Sequence, residues 1–285
     1  MKIAIVSGKG GTGKSTVTAG FISLSNNILA LDCDVDASNL YLVFDTDNEQ
    51  QENYISGQSA HIDKDKCVEC GICADACNFE AVKQGENGYY IDDVSCEGCE
   101  LCSRLCPQQA ISMVDSIDSK IYLSKFKYGH LLYGRLAPGE DNSGKFINVL
   151  RQKADKIAET EGYKNQILDG PPGIGCPVLS TITGIDKIII VTEPSLSGFS
   201  DLRRIHEVAN SFSTNISVII NKYDLDLQNS HDIEKWCNGQ GAKVIGKLPF
   251  DKRMVESIMQ RQSIIEYAPK CECSEVLRQA YSQCF

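Results

Sequence analysis

Short apolar runs alternate with longer stretches of helical periodicity along most of the chain. The runs are rich in β-branched residues, as buried strands are, and they cover residues 3–6, 28–31, 166–168, 187–192, 217–220 and 243–246. The stretches between them predict helices over residues 14–25, 146–161, 200–212, 231–236 and 252–261. Strands separated by helices predict an α/β fold with a doubly wound, mostly parallel sheet.

This alternation stops between residues 55 and 118. The segment is rich in Cys, Asp, Glu and Gly and poor in strand-like runs, so we predict a small inserted α+β domain there. Residues 1–54 and 119–285 then form the α/β domain, and residues 119–136 return the chain to its sheet through a strand or hairpin.

Composition narrows the classes of function. The longest strongly apolar run, residues 188–191, is far shorter than the ~20 residues that a membrane-spanning helix needs. No apolar leader follows Lys2, so we expect a cytoplasmic protein without membrane insertion. The net charge of −10 disfavours nucleic-acid binding. Fourteen cysteines in a reducing compartment indicate metal sites rather than disulfides.

A glycine-rich turn joins the first predicted strand to the first predicted helix. Residues 8–15 satisfy the phosphate-loop pattern G-x-x-x-x-G-K-[ST] in its strand-to-helix setting. In such a loop backbone N–H groups face one anion, Lys14 reaches the β and γ phosphates, and the Ser15 hydroxyl can bind Mg²⁺. The alternative is a turn that binds no ligand. The predicted nucleotide contacts in the loop are Gly10, Gly11, Thr12, Gly13, Lys14, Ser15 and Thr16.

Lys9 adds a second lysine to this loop. Residues 9–16, Lys-Gly-Gly-Thr-Gly-Lys-Ser-Thr, resemble the deviant Walker A loop of the MinD/ParA family of P-loop ATPases. The resemblance implies ATP as the nucleotide and an ATP-dependent homodimer in which Lys9 reaches the partner's nucleotide, comparable in role to an arginine finger. A solvated surface lysine is the alternative.

Acidic residues follow the second predicted strand. Residues 32–36 read Asp-Cys-Asp-Val-Asp and resemble the first switch of that family. The resemblance implies that Asp34 orients the attacking water and that Asp32 and Asp36 lie near Mg²⁺. The predicted catalytic residues are therefore Lys9, Lys14 and Asp34.

Two further strand ends complete the resemblance. Asp169 opens Asp-Gly-Pro-Pro-Gly, which is similar to the family's second switch and implies an aspartate that holds Mg²⁺ through water. Asn221 resembles the family's asparagine beside adenine. The predicted Mg²⁺ residues are thus Ser15, Asp36 and Asp169. Residues 192–194 and 248–251 also resemble family loops at the carboxyl ends of strands, where open α/β sheets bind ligands.

The insert contains two cysteine runs, residues 67–77 and 96–106. Each has the bacterial ferredoxin spacing C-x₂-C-x₂-C-x₃-C, in which the fourth cysteine serves the other run's cluster. Two Cys₄ zinc sites are the alternative. The predicted [4Fe–4S] ligand sets are Cys67, Cys70, Cys73 and Cys106 for one cluster and Cys77, Cys96, Cys99 and Cys102 for the other.

The whole chain thus resembles the MinD superfamily of ATPases with an inserted two-cluster ferredoxin domain. The resemblance implies an ATPase whose nucleotide-driven dimer state controls electron transfer. Residues 61–118 hold twelve Asp and Glu against four Lys and Arg, so we expect a redox or iron–sulfur partner with a basic docking face. Because the insert leaves the sheet shortly after Asp34 and Asp36, we expect the first switch to move it.

Two alternatives to electron transfer stay open. The clusters could serve only to hold a small insert together. The chain could also be an ATP-dependent iron–sulfur carrier or scaffold resembling the Mrp group.

Six cysteines lie outside the two runs. We predict Cys33 and Cys237 to be small buried hydrophobes. Cys176 follows the second switch and is a candidate nucleotide sensor or metal ligand at a dimer face. The last three are Cys271, Cys273 and Cys284. We expect them to be either free thiols or ligands of a labile metal site, and a metal site would favour the carrier function.

Overall fold

The structure is a computed structural model that describes residues 1–140, 142–212 and 215–285. Its strands are β1 (Lys2–Ser7), β2 (Ile28–Asp32), β3 (Thr46–Tyr54), β4 (Gln58–Ile62), β5 (Val82–Gly85), β6 (Gly88–Ile91), β7 (Ile111–Asp115), β8 (Ser119–Phe126), β9 (Gly129–Arg135), β10 (Gln166–Pro172), β11 (Lys187–Thr192), β12 (Asn215–Asn221) and β13 (Lys243–Leu248).

The helices agree with the predicted periodicity where they are long. They are α1 (Lys14–Leu24), α2 (Leu40–Val43), α3 (Ile72–Asp75), α4 (Leu101–Leu105), α5 (Ser143–Glu161), α6 (Cys176–Ile182), α7 (Leu196–Asn210), α8 (Leu227–Gly239), α9 (Arg253–Met259), α10 (Ile264–Tyr267) and α11 (Glu272–Ser282). The apolar pattern did not predict α2, α3, α4, α6, α10 or α11. It also began α7 four residues late, because the helix starts at the side-chain cap of Ser195, which accepts from Gly198 N.

The large sheet has the strand order β13-β12-β11-β1-β10-β2-β9-β8-β3 among the described residues. Neighbouring strands from β13 to β9 are parallel, and they include all six predicted strands. Only Lys127 and Tyr128 separate β8 from β9, so the chain returns to the sheet through a hairpin. The predicted α/β fold with a mostly parallel sheet is confirmed.

Both faces of the parallel sheet are buried. In β1, Ile3 and Ile5 belong to the apolar core that α1, α10 and α11 also contribute to. Ala4 and Val6 are equally buried and, because side chains alternate along a strand, they point to the opposite face. Helices therefore cover the sheet on two sides, which explains why the central strands are almost continuously apolar.

The chain divides into two compact units. The first comprises Met1–Gln51, Ile121–Gly134 and Ser143–Phe285, and the second comprises Glu52–Lys120 and Arg135–Asn142. The second unit therefore extends a few residues beyond the segment 55–118 on each side and includes a stretch that follows β9.

The second unit contains two pairs of antiparallel strands, β4 with β7 and β5 with β6, which the apolar pattern did not predict. Its backbone repeats with an offset of 29 residues, which is also the offset between the two cysteine runs. Left-handed residues occur at positions 69 and 98, 71 and 100, and 80 and 109. The two runs therefore fold with the same turns.

Strand β3 corrects the expectation that the insert leaves the sheet shortly after the first switch. Its sequence, Thr-Asp-Asn-Glu-Gln-Gln-Glu-Asn-Tyr, has no apolar alternation, yet it forms the edge of the large sheet. Charged side chains are typical of edge strands because they discourage pairing with other chains. Both α2 and β3 therefore lie between Asp36 and the second unit, so the insert does not leave the sheet directly after the first switch.

The helices of the described residues include none with the length and apolar character needed to cross a bilayer.

We expect Gly129→Ala to destabilise the sheet where β9 meets β2. Gly129 has a φ of +140°, and a Cβ atom there would lie 2.0 Å from the carbonyl oxygen of Ile28. Because that obstacle is backbone, the substitution should lower the free energy of unfolding by about 3 kcal/mol or more. Urea denaturation followed through Trp236, the single tryptophan, measures this loss.

Gly162→Ala is the matched control. Gly162 also has a positive φ of +75°, but nothing lies within 4 Å of its added Cβ. The substitution should cost only the left-handed backbone strain, about 1 kcal/mol. Equal losses for the two variants would contradict the predicted clash.

Candidate nucleotide and cysteine sites

The phosphate loop connects β1 to α1 at the carboxyl end of β1. Gly13, at the N-terminus of α1, has a φ of +87°, and a Cβ there would lie 2.3 Å from Nδ2 of Asn221. Only glycine accepts both this backbone conformation and this close approach. The loop thus has the strand-to-helix setting that its sequence pattern requires.

Lys14 forms a buried ion pair with Asp169 of β10. Its Nζ lies 2.9 Å from Asp169 Oδ1, and the two side chains are 7% and 1% exposed. Thr18 Oγ1 donates to the same carboxylate oxygen at 2.7 Å. Burial alone would lower the pKa of Lys14, but the charges of Asp169 and Asp32 raise it above its ordinary value. The ammonium therefore stays charged inside the protein.

Asp32 organises the first switch. Its Oδ2 accepts from Ser38 Oγ at 2.8 Å and from the backbone N–H groups of Asn39 at 2.8 Å and Leu40 at 3.0 Å. Its Oδ1 accepts from the Asp34 N–H at 3.0 Å. Burial is the largest cause that raises the pKa of Asp32. These bonds give Asp32 a role in shaping the loop, whereas the resemblance implied a position near Mg²⁺.

The other two switch aspartates are more accessible. Asp34 is half-buried, and burial, opposed by Lys14 and reinforced by Asp32, raises the pKa of its carboxyl to about 6. Asp36 is exposed. The carboxyl of Asp34 therefore changes its protonation state near pH 6.

Two buried oxygens at the loop have no hydrogen-bond partner within the described part of the chain, Asp169 Oδ2 and Thr12 Oγ1. Buried polar atoms are normally paired, so these two fit groups that a bound ligand satisfies. Asp169 and the half-buried hydroxyl of Ser15 are oxygen donors of the kind that Mg²⁺ prefers.

No group of three or more His, Cys, Asp or Glu side chains in the described residues could hold a metal ion. A Mg²⁺ at Ser15 and Asp169 would therefore share its coordination with phosphate oxygens and water.

Asn221 and Lys222, at the end of β12, contact the carbonyl groups of the loop. Asn221 is 5% exposed, and its Nδ2 donates to Thr12 O at 2.7 Å. Lys222 Nζ donates to Gly11 O at 3.3 Å. These bonds fix the loop from the end of β12, which is separated from β1 by β11. The contact between Asn221 and adenine stays a prediction.

Lys9 is held by the turn between β11 and α7. Its Nζ lies 2.7 Å from Glu193 Oε1 and donates to Ser195 Oγ at 3.2 Å and Ser197 Oγ at 3.0 Å. Lys222 Nζ lies 3.3 Å from Glu193 Oε2. Burial alone would raise the pKa of Glu193, but the two lysines hold it below its ordinary value.

The sequence did not predict Glu193 as a partner of the phosphate loop. Its signals were its place at the carboxyl end of a predicted strand and the resemblance of residues 192–194 to a family loop. The strand order, in which β11 lies directly beside β1, is what brings it to Lys9.

A family model described as the CobQ/CobB/MinD/ParA nucleotide binding domain matches residues 3–264. The chain belongs to this family. Members of its MinD/ParA branch are P-loop ATPases, and the family assignment agrees with the phosphate loop and both switch positions.

Individual relatives extend over the whole chain. An uncharacterized protein of Methanocaldococcus jannaschii is 33% identical over 286 residues, which are 99% of this chain and 96% of that protein. An uncharacterized ATP-binding protein of the same organism is 20% identical over 283 residues, 96% of this chain and 84% of that protein. The septum site-determining protein MinD of Pyrococcus horikoshii, solved with Mg-ADP, has a TM-score of 0.60 at 17% identity, with coverage of 99% and 95%, and is similar in fold.

Two recesses in the second unit of this MinD/ParA-family chain each collect four cysteines. One, with about 370 Å³ of empty space, is lined by Cys67, Cys70, Cys73 and Cys106. The other, with about 360 Å³, is lined by Cys77, Cys96, Cys99 and Cys102. Each recess takes three cysteines from one run and the fourth from the other run. These are the same two sets that the spacing predicts.

Backbone N–H groups point at three of these sulfur atoms. Ala81 N donates to Cys77 Sγ and Ala110 N to Cys106 Sγ, both at 3.3 Å, and Ala60 N donates to Cys96 Sγ at 3.5 Å. The first two bonds are equivalent under the 29-residue repeat. Such donors stabilise negative charge on sulfur, so they suit thiolate ligands.

The remaining cysteines are mostly core residues. Those that are buried are Cys33, Cys237, Cys271, Cys273 and Cys284, whereas Cys176 is exposed at the start of α6. Burial raises the pKa of Cys237 and of Cys273 to about 12. The three thiols near the C-terminus, Cys271, Cys273 and Cys284, are packed in the apolar core, which favours the free-thiol alternative over a labile metal site.

We expect Lys14→Met to destabilise the nucleotide-free protein by about 3–5 kcal/mol near neutral pH, because Asp169 and Asp32 lose their buried counter-charge. The charge of Lys14 lowers the pKa of Asp32, so loss of the ammonium raises this pKa further in the folded state. The folded variant then binds more protons than its unfolded chain, so its stability rises as the pH falls. The loss in free energy of unfolding relative to the wild-type protein should therefore be smaller at about pH 5.5 than at about pH 7.5. Urea denaturation followed through Trp236 at the two pH values measures it.

Lys9→Met is the matched control. The ion pair between Lys9 and Glu193 is partly exposed, and in the variant Glu193 is still paired with Lys222. The free energy of unfolding should therefore fall by less than about 1 kcal/mol at both pH values. A pH-independent loss for Lys14→Met, or one no larger than for Lys9→Met, would refute the buried charge balance.

Proposed function

We propose that this protein is an ATPase in which nucleotide state controls electron transfer through two [4Fe–4S] clusters. The observation that carries the proposal is the pair of recesses, each lined by four cysteines, in a chain that also contains a MinD/ParA-type phosphate loop. Bound clusters would supply one-electron redox chemistry, which the amino acids around the phosphate loop do not.

The pattern of the cysteines favours clusters over single zinc ions. Two C-x-x-C pairs are enough to hold one zinc ion. Here each recess is lined by three cysteines of one four-cysteine run and by the fourth cysteine of the other run. That is the ligand arrangement of a two-cluster ferredoxin, in which each [4Fe–4S] cluster takes four thiolates.

The nucleotide-site roles follow from the same contacts. We propose that Lys14 and the loop N–H groups bind the phosphates, and that Ser15, Asp36 and Asp169 lie around Mg²⁺. Asp34, whose carboxyl has a pKa of about 6, is charged at neutral pH and suited to orient the attacking water. Lys9 would complete the site of the partner subunit in an ATP-dependent homodimer.

The carrier alternative has no specific support in this chain. A transferable cluster needs accessible ligands in the ATPase domain, and the C-terminal candidates Cys271 and Cys273 are 5% and 0% exposed. The acidic insert instead favours a redox partner with a basic docking face, because opposite charges steer association.

Two substitutions should separate nucleotide binding from hydrolysis. Lys14→Ala should abolish binding of a fluorescent ATP analogue, whereas Asp34→Asn should bind it normally but hydrolyse ATP about 100-fold more slowly or worse. Wild-type turnover should fall below about pH 6 as Asp34 becomes protonated. Lys156→Ala, an exposed lysine on α5, is the control and should leave both measurements unchanged. Unimpaired nucleotide affinity in the Lys14 variant would refute the assignment.

The protein isolated without oxygen should contain about eight irons per chain, with two [4Fe–4S] signals in EPR after reduction. Cys73→Ala removes one ligand and should leave about four irons. Cys176→Ala is the matched control, because this exposed cysteine lies outside both recesses and should leave the iron content unchanged. Zinc without iron in the wild-type protein would overturn the cluster assignment.

The same preparations test nucleotide control. A non-hydrolysable ATP analogue with Mg²⁺ should change the rate of iron chelation or the midpoint potentials while the iron content stays constant. Unchanged rates and potentials would reject nucleotide control of the clusters. Transfer of iron to an acceptor apoprotein on ATP addition would replace electron transfer with the carrier function.

A further inference from the structure

Lys9 is more firmly held within its own subunit than an exposed loop lysine needs to be. The three donors of its ammonium group meet three oxygens, those of Glu193, Ser195 and Ser197, at 2.7, 3.2 and 3.0 Å. All three acceptors lie within residues 193–197, where the three-residue turn after β11 continues into the first residues of α7. The side chain of Lys9 is only 28% exposed as a result.

The turn that holds Lys9 is itself fixed. Ser195 caps α7 by accepting from Gly198 N at 3.0 Å, and its own N–H donates to Glu193 O at 2.8 Å. Thr192 Oγ1 donates to Gly198 O at 3.1 Å. A Cβ at Gly198 would lie 2.4 Å from Glu193 O, so the backbone passes too closely for any other residue. The acceptors are therefore positioned before Lys9 binds them.

The carboxylate of Glu193 is shared between two lysines of the nucleotide site. Oε1 contacts Lys9, and Oε2 lies 3.3 Å from Nζ of Lys222. Lys222 also donates to Gly11 O in the phosphate loop at 3.3 Å. Phosphates cradled by this loop would therefore approach the same two ammonium groups that Glu193 neutralises.

We propose that Glu193 is a positioning residue that clasps Lys9 to its own subunit until nucleotide phosphates compete for the lysines. Arrival of a polyphosphate brings negative charge beside Gly11, repels Glu193 and competes with its carboxylate for both lysines. Lys9 is then released and can reach the nucleotide of the partner subunit. This inference rests on the ATP-dependent homodimer proposed above, and it makes Glu193 an antagonist of that dimer.

The test is the concentration of a Mg²⁺-bound non-hydrolysable ATP analogue at which the full chain dimerises, measured by light scattering. Glu193→Gln keeps the size of the side chain but removes its charge. Dimerisation should then need about two- to fivefold less analogue, which is the range expected for a partly exposed ion pair. If Glu193 had only a structural role, its substitution would instead raise the analogue concentration needed for dimerisation.

Two further variants isolate the cause. Glu207→Gln makes the same charge change at an exposed position of α7, ten residues and ~15 Å of helix beyond Ser197, and should leave the midpoint unchanged. Ser197→Ala removes an acceptor of Lys9 that Lys222 does not contact, and it should lower the midpoint about twofold. If Glu193→Gln does not fold, Ser197→Ala decides the question.

A second readout does not depend on dimerisation. Without nucleotide, brief acetylation followed by mass spectrometry should modify Lys9 several-fold faster in Glu193→Gln than in the wild-type chain, relative to Lys156. Equal labelling, or a dimerisation midpoint that is unchanged or higher in Glu193→Gln, would overturn the clasp while the homodimer stands. A wild-type chain that stays monomeric at every analogue concentration would overturn the homodimer and the clasp with it.

Discussion

The buried ion pair between Lys14 and Asp169 is the constraint on which the nucleotide site depends. Charges inside a protein are costly unless they are paired, so these two side chains must stay adjacent while the site is empty. The pair fixes the start of α1 against the middle of β10, and the buried carboxylate of Asp32 adds β2 to the same charge balance. A phosphate that binds Lys14 would weaken its pairing with Asp169. In the proposed ATPase, phosphate binding would therefore act on β10 through one buried carboxylate.

The same balance extends to the opposite side of the phosphate loop. Lys9 and Lys222 share the carboxylate of Glu193, just as Lys14 pairs with Asp169. The lysines that would bind phosphate are thus paired with carboxylates of their own subunit. This arrangement stores positive charge without leaving it unpaired. It also means that nucleotide binding is an exchange of partners, so its affinity depends on the carboxylates that are displaced.

The sequence predicted the parts of this site that are local and left out the parts that depend on strand order. The phosphate loop and six strands of the large sheet follow from a contiguous motif and from apolar runs. Residues 192–194 resemble a family loop, but the contact of Glu193 with Lys9 depends on β11 lying beside β1. The bonds that commit Asp32 to the switch backbone depend on the fold of residues 38–40. The edge strand β3 was missed because a strand with exposed polar residues carries no apolar period.

The spacing of the cysteine runs predicts that each run contributes to both recesses, and the linings of the recesses agree with that spacing, whereas the clusters themselves stay a prediction. The left-handed residues of the runs recur at the same 29-residue offset, so both runs make the same turns. The halves also exchange backbone bonds, Asp63 N with Ala110 O and Asp92 N with Ala81 O, and these four positions are again 29 apart in pairs. The exchange brings the end of each run to the start of the other. Because every recess then needs cysteines from both runs, neither recess can form alone, and the second unit is a single cooperative structure rather than two adjacent motifs.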